Sequence, residues 1–218
     1  MEKSIETIWK EGFLKSDALV PPKLNNLYNQ KSKHIIDKFK RMFKINLIAI
    51  VVSSFIVLVA SIMVEIPYMG VALFFILNGL VIINKKLLNT LGKIDKSVSS
   101  YQYLKAFDNW MKEQISVNTR ISRYFYPLIF LSIILGFWFG SFGGNIPGEA
   151  LVNELVINYP DIYLVNGIPL IGILGVILVA SLLAIFGGRI YKWDVNLVYG
   201  GVFRKLNEII ADIEELRS

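Results

Sequence analysis

Apolar residues follow two rhythms along this chain. In four stretches they run on without a charge: residues 45–64, 66–83, 124–142 and 168–188, which are 20, 18, 19 and 21 residues long. A bilayer core about 30 Å thick takes roughly 20 helical residues to cross. The pattern therefore predicts four transmembrane helices, TM1 to TM4 in chain order. The second and third are short, which places their aromatic ends at the interface. Four such runs in 218 residues argue against the alternative, buried core helices of a soluble domain.

The second rhythm has a period of three to four. Val202, Leu206, Ile209, Ile213 and Leu216 fall at steps of 4, 3, 4 and 3, the spacing of one apolar seam on a helix. Leu87, Leu91, Ile94, Val98 and Tyr101 repeat those steps. Leu104, Phe107, Met111 and Ile115 continue after a phase slip. The spacing predicts that TM2 runs on past the membrane as one long helix, and that a second helix returns from about Ser100. After Pro21-Pro22, the residues Leu24, Leu27, Tyr28, Ile35, Phe39, Met42 and Phe43 recur at helical spacing, with Lys31, Lys33, Lys38, Lys40, Arg41 and Lys44 on most of the remaining faces. That predicts a basic helix leading into TM1. Further upstream, Ile5, Ile8 and Trp9 share one side of a short predicted helix.

Charge orients these elements. Residues 1–44 hold 10 Lys/Arg, residues 84–123 hold 8 and residues 189–217 hold 5, which is all 23. The connections around Glu65 and over 143–167 hold none, and carry Glu65, Glu149, Glu154 and Asp161 instead. The positive-inside rule then puts both termini and the 84–123 loop in the cytoplasm, as in a multi-pass protein of the inner (plasma) membrane. The cytoplasmic side totals +10 and the outer side −4, so the net charge of +6 is mainly a signature of topology. Tyr124, Tyr126, Tyr191 and Trp193 fit the inner interface, and Tyr68 and Trp138 the outer one.

The expected fold class is all-α: a polytopic membrane protein whose four transmembrane helices carry helical cytoplasmic extensions packed as a bundle. Its parts are a cytoplasmic N-terminal segment and juxtamembrane helix (1–44), TM1 (45–64), TM2 (66–83), a cytoplasmic helical hairpin (84–123), TM3 (124–142), an extracytoplasmic loop (143–167), TM4 (168–188) and a cytoplasmic amphipathic helix (189–218). No secretory signal is expected, because the first apolar run starts near residue 45 and no small-residue cleavage site follows it. The two seams either pack on each other within the chain, which is the simpler reading, or leave one seam for a partner chain.

Composition narrows the chemistry. Hydrophobic residues make up 54% and mean hydropathy is +0.53, above the usual range of soluble domains. Without cysteine, and with His34 as the one histidine, neither disulfides nor thiolate or multi-histidine metal sites are available. No GxSxG, HExxH or phosphate-binding glycine loop occurs, so no catalytic residue, cofactor or metal ligand is assigned. The expectation is a non-enzyme. The four runs contain no ionisable side chain, which disfavours charge-coupled transport. Asn78 lies near mid-membrane and suits an interhelical hydrogen bond better than a pore. Gly136 and Gly140 form a GxxxG in TM3, and Gly172 and Gly175 with Ala180 and Ala184 give TM4 a small-residue face. Both permit close packing, within one chain or between copies. In the outer connection, Leu151, Leu155 and Val156 suggest a short helix on the leaflet. Glu149 and Glu154 alone are a weak divalent-cation signal.

The segments YNQKSKHIIDKFKRMFKINL, SYQYLKAFDNW and RKLNEIIADIEEL resemble uncharacterised bacterial four-span inner-membrane proteins. Ile8-Trp9-Lys10 before a basic juxtamembrane helix resembles the small membrane proteins that act as anti-sigma-factor-like regulators. The resemblance implies a scaffold or regulator that binds a cytoplasmic protein, with Ile5, Ile8 and Trp9 as candidate contacts. The alternative function is an oligomeric, pore-forming effector gated through its cytoplasmic helices. Expected partners are anionic lipid headgroups at the inner face, a cytoplasmic protein and a second copy of the chain. A nucleotide or nucleic acid would also suit a basic surface, but headgroup binding explains the same charges with less.

Overall fold

The computed structural model describes residues 22–95, 98–141, 144 and 146–215. Five helices and one two-stranded hairpin make up the described chain: α1 (Pro22–Met63), α2 (Pro67–Leu91), α3 (Ser100–Phe139), α4 (Pro147–Asn158), β1 (Leu164–Val165), β2 (Ile168–Pro169) and α5 (Leu170–Glu215). The fold is all-helical apart from that hairpin. Prolines stand at helix starts, where a missing N–H costs nothing and φ is already helical: α1, α2 and α4 begin on one, and Pro169 precedes α5.

Four helices, α1, α2, α3 and α5, are long and apolar enough to cross a membrane. No more than 11% of any of their apolar windows is buried inside the chain, so the chain itself does not cover these faces. The helices do not stop where their apolar runs stop. The backbone of α5 continues through Arg189, Lys192 and Asp194 into the C-terminal seam as one 46-residue helix. Likewise α1 joins the basic segment to the first run over 42 residues. Pro127 lies inside α3, a position tolerated where neighbouring helices and local adjustment satisfy the freed carbonyl.

Between α1 and α2 the chain turns at Glu65, whose φ of 65° is left-handed. Ile66 N–H bonds Ser61 O at 2.8 Å across that turn, a helix ending usually made with glycine. The break after α2 corrects one expectation. Leu87, Leu91, Ile94, Val98 and Tyr101 do not share a helix, because α2 ends at Leu91. Gly92 N–H bonds Asn89 O at 3.2 Å and Lys93 N–H bonds Thr90 O at 3.0 Å, so the last turn tightens to the three-residue spacing that closes many helices. The next helix starts at Ser100, with Ser99 Oγ accepting from Gln102 N–H at 3.4 Å, the usual role of an N-cap serine.

By their contacts the residues divide into two compact units, and each long helix contributes to both. Among the described residues, unit 1 takes 22–43, 89–95, 98–113 and 195–215; unit 2 takes 44–88, 114–141, 144 and 146–194. The core of unit 1 is built from Ile35, Ile36 and Phe39 of α1, Leu91 of α2, Leu104, Phe107 and Met111 of α3, and Val202, Leu206 and Ile213 of α5, all buried. Unit 2 is held by close approaches, described below, and turns most large apolar side chains outward: Ile48, Ile56, Phe75, Leu178 and Ile185 are exposed. Its outer connection forms α4 and then the hairpin, paired Leu164 with Pro169 and Val165 with Ile168. Asn166 and Gly167 take positive φ at the tip, which is the pair a two-residue hairpin loop calls for.

Candidate functional site

Within unit 1 an aromatic cluster draws on three helices. Phe39 of α1 meets Phe107 edge-on at 5.4 Å, Trp110 edge-on at 6.0 Å and Tyr199 of α5 at 5.3 Å. Phe107 and Trp110 stack at 6.0 Å, and Phe43 lies 5.7 Å from Phe39. Each such pair adds about 0.5–1.5 kcal/mol beyond the burial of its area. The indole N–H of Trp110 donates to Thr90 Oγ1 at 2.8 Å, which joins α3 to the end of α2 across the Gly92 turn. Tyr103 is buried on the same helix. Burial pushes its phenol above the usual value of 10, and the nearby Asp37 carboxylate adds to the rise. At the other end of unit 1, Lys105 Nζ donates to Tyr101 Oη at 2.8 Å, and Tyr101 Oη donates to Glu214 Oε1 at 2.7 Å. Lys105 also sits 3.8 Å from that carboxylate. The pair is exposed on both sides, so its energetic weight is small.

The C-terminal seam has Val202, Leu206 and Ile213 buried and Ile209 half-buried. From the other seam, Leu91 is buried, Leu87, Ile94 and Tyr101 are half-buried and Val98 is exposed. Leu216 and the candidate contacts Ile5, Ile8 and Trp9 lie outside the described residues. Val195 and Tyr199, also buried, extend the period of the C-terminal seam backwards by steps of 4 and 3.

The predicted membrane contacts separate into two groups. Asn78 Nδ2 donates to Ser54 Oγ of α1 at 2.9 Å and to Phe74 O at 2.8 Å. A Cβ added at Gly136 would collide with Met69, and one at Gly140 with Ile66, so this GxxxG seats α3 against the start of α2. Gly172 and Gly175 have nothing within 4 Å of such an atom, so these two glycines of the small-residue face meet open space. The close approach of α5 to α3 lies instead at Gly187 and Gly188. There an added Cβ would stand 2.8 Å from Ser122 O and 2.8 Å from Thr119 Cγ2 respectively. The double glycine just before Arg189 was the signal for it. On α3 nearby, Asn118 and Ser122 are buried. The amide oxygens of Gln114 and Asn118 are buried without a hydrogen-bond donor.

Among the described residues no group of three or more His, Cys, Asp or Glu could hold a metal. No protein-family model, curated protein or solved structure matches the chain.

Proposed function

We propose that this is a multi-pass inner-membrane protein with both ends in the cytoplasm, whose unit 1 is a helical bundle that binds a cytoplasmic protein as a scaffold or regulator. One observation carries the reading. The described segments of unit 1, residues 22–43, 89–95, 98–113 and 195–215, fall within the three stretches, 1–44, 84–123 and 189–217, that hold every lysine and arginine of the chain. Contacts and charge, read independently, thus agree on which stretches belong together: the positive-inside rule reads charge alone, the unit is defined by proximity alone, and the seven cations left to unit 2 flank its apolar runs. The apolar helices of unit 2, little covered by their own chain, supply the surface that lipid tails would cover. The cations near their ends, among them Lys44, Lys85, Arg123 and Arg189, would meet anionic headgroups at about 1 kcal/mol each.

A core of packed rings on the cytoplasmic side supports a rigid platform better than it supports chemistry. The regulatory part of the reading rests on the resemblance of the Ile8-Trp9-Lys10 segment. A second reading, an oligomeric pore, is favoured by one observation only: Gly172 and Gly175 face open space and leave a surface where a second copy could approach closely. Affinity capture from membranes in mild detergent, with the full chain and with residues 1–20 removed, tests the first reading. Cytoplasmic proteins retained by the full chain and lost with the deletion are expected. The same proteins recovered by both would contradict the role of Ile5, Ile8 and Trp9. A stable oligomer that conducts ions in planar bilayers would favour the pore.

A further inference from the structure

A groove of about 800 Å³ lies in unit 2 between the end of α4, the segment before the hairpin and the first turns of α5. Its apolar wall is Leu155, Ile162, Leu170 and Leu174, and its polar edge is Asn158, Tyr159, Asp161 and Tyr163. The backbone fixes this shape: Tyr159 N–H bonds Leu155 O at 2.7 Å, Ile162 N–H bonds Tyr159 O at 3.1 Å and Leu170 N–H bonds Tyr163 O at 3.0 Å. We infer that this groove holds a phospholipid whose headgroup carries a primary ammonium, with one acyl chain along Leu170–Leu174 and the ammonium at Asp161.

The inference rests on the membrane reading above, and two features go beyond it. The first is depth. Leu170 and Leu174 begin the apolar run of α5, whereas Asp161 and Asn158 precede it in the chain. The groove therefore pairs an apolar half with a polar half, as the boundary between acyl chains and headgroups does. Tyr159 and Tyr163, both exposed, are the residue type enriched at that boundary. The second is charge. Residues 124–188 contain no Lys or Arg, while Glu149, Glu154 and Asp161 are acidic. An anionic headgroup would find no cation in the groove and a like charge at Asp161, with Glu149 and Glu154 nearby in sequence on α4. A primary ammonium can donate hydrogen bonds to a carboxylate, which a choline headgroup cannot.

The test is native mass spectrometry of the full chain in mild detergent, titrated with dioleoyl phospholipids bearing ethanolamine, choline or glycerol headgroups. Variants Asp161→Asn and Leu174→Trp are run beside it. Both positions are exposed, so neither change disturbs a core. Ethanolamine lipid is expected to be retained about fivefold better than the other two, the worth of one charge-assisted contact at a wet interface. Asp161→Asn is expected to erase that preference, and Leu174→Trp to lower retention of all three lipids. Equal retention of the three, better retention of the glycerol lipid, or a preference unchanged in Asp161→Asn would overturn the inference. An alkaline carbonate wash of the expressing membranes separates the two levels. A chain stripped off by the wash overturns the membrane reading and this inference together; a chain that stays but shows no headgroup preference overturns the inference alone.

Discussion

Replacing Phe107 by alanine tests whether the ring cluster is the structural centre of unit 1. Phe107 is fully buried, with Phe39 edge-on at 5.4 Å and Trp110 stacked at 6.0 Å. Removing a buried phenyl ring costs about 3–5 kcal/mol, transfer and cavity together. Two ring pairs are lost as well, which places this site toward the upper part of that range. At about 1.4 kcal/mol per factor of ten, some 4 kcal/mol raises the open population of unit 1 by roughly a thousandfold. Amide hydrogen exchange in mild detergent reads this directly, through the backbone amides of residues 100–113 and 195–215. Phe75→Ala is the matched control. It removes the same ring from a side chain that is 69% exposed, so its cost belongs below about 1 kcal/mol. Fast exchange in both variants, or in neither, would refute the assignment of Phe107 to a packed core.

The glycine contacts predict opposite outcomes for one kind of change. Gly188→Ala places a methyl 2.8 Å from Thr119 Cγ2 and should lower the melting temperature in detergent, at about 1–3 kcal/mol. Gly172→Ala meets nothing within 4 Å and should leave it unchanged or raise it by up to about 1 kcal/mol. Tyr103 makes a prediction in pH. Its folded phenol titrates above the ordinary value of 10, so its share of stability is intact below that value and is lost as pH rises through the raised one. Denaturant midpoints compared across this range should fall more steeply for the natural chain than for Tyr103→Phe.

Much of this architecture was legible in the pattern of apolar residues, and the misses have physical causes. Four charge-free runs were enough to locate four long helices, each long and apolar enough to cross a membrane. The same signal marks where hydropathy changes, not where a helix ends. Hydropathy changes at Arg189, but the backbone hydrogen bonds of α5 do not depend on side-chain polarity and run on to Glu215. Seam periodicity failed in the opposite way between Leu87 and Tyr101, where the spacing is regular and the helix is broken after Leu91. There Gly92, and Ser99 as a cap, outweighed the apolar period. Asn166-Gly167 between short apolar segments is a hairpin signal, and the strands it joins are only two residues each, too short to show an alternating pattern. Gly172 and Gly175 drew attention as a small-residue face, yet the close approach of α5 is made by Gly187 and Gly188. Sequence shows where a close approach is allowed; the neighbouring helix decides where it occurs.

The central claim is a topology: four crossings, with unit 1 on the cytoplasmic side. The chain has no cysteine, so single cysteines can be placed without background and probed with a membrane-impermeant maleimide on intact bacterial cells. Glu154→Cys, on exposed α4, should label in intact cells. Lys86→Cys and Lys205→Cys, also exposed, should label only after the membrane is permeabilised. Labelling of Lys205→Cys from outside, or protection of Glu154→Cys until permeabilisation, would contradict the account.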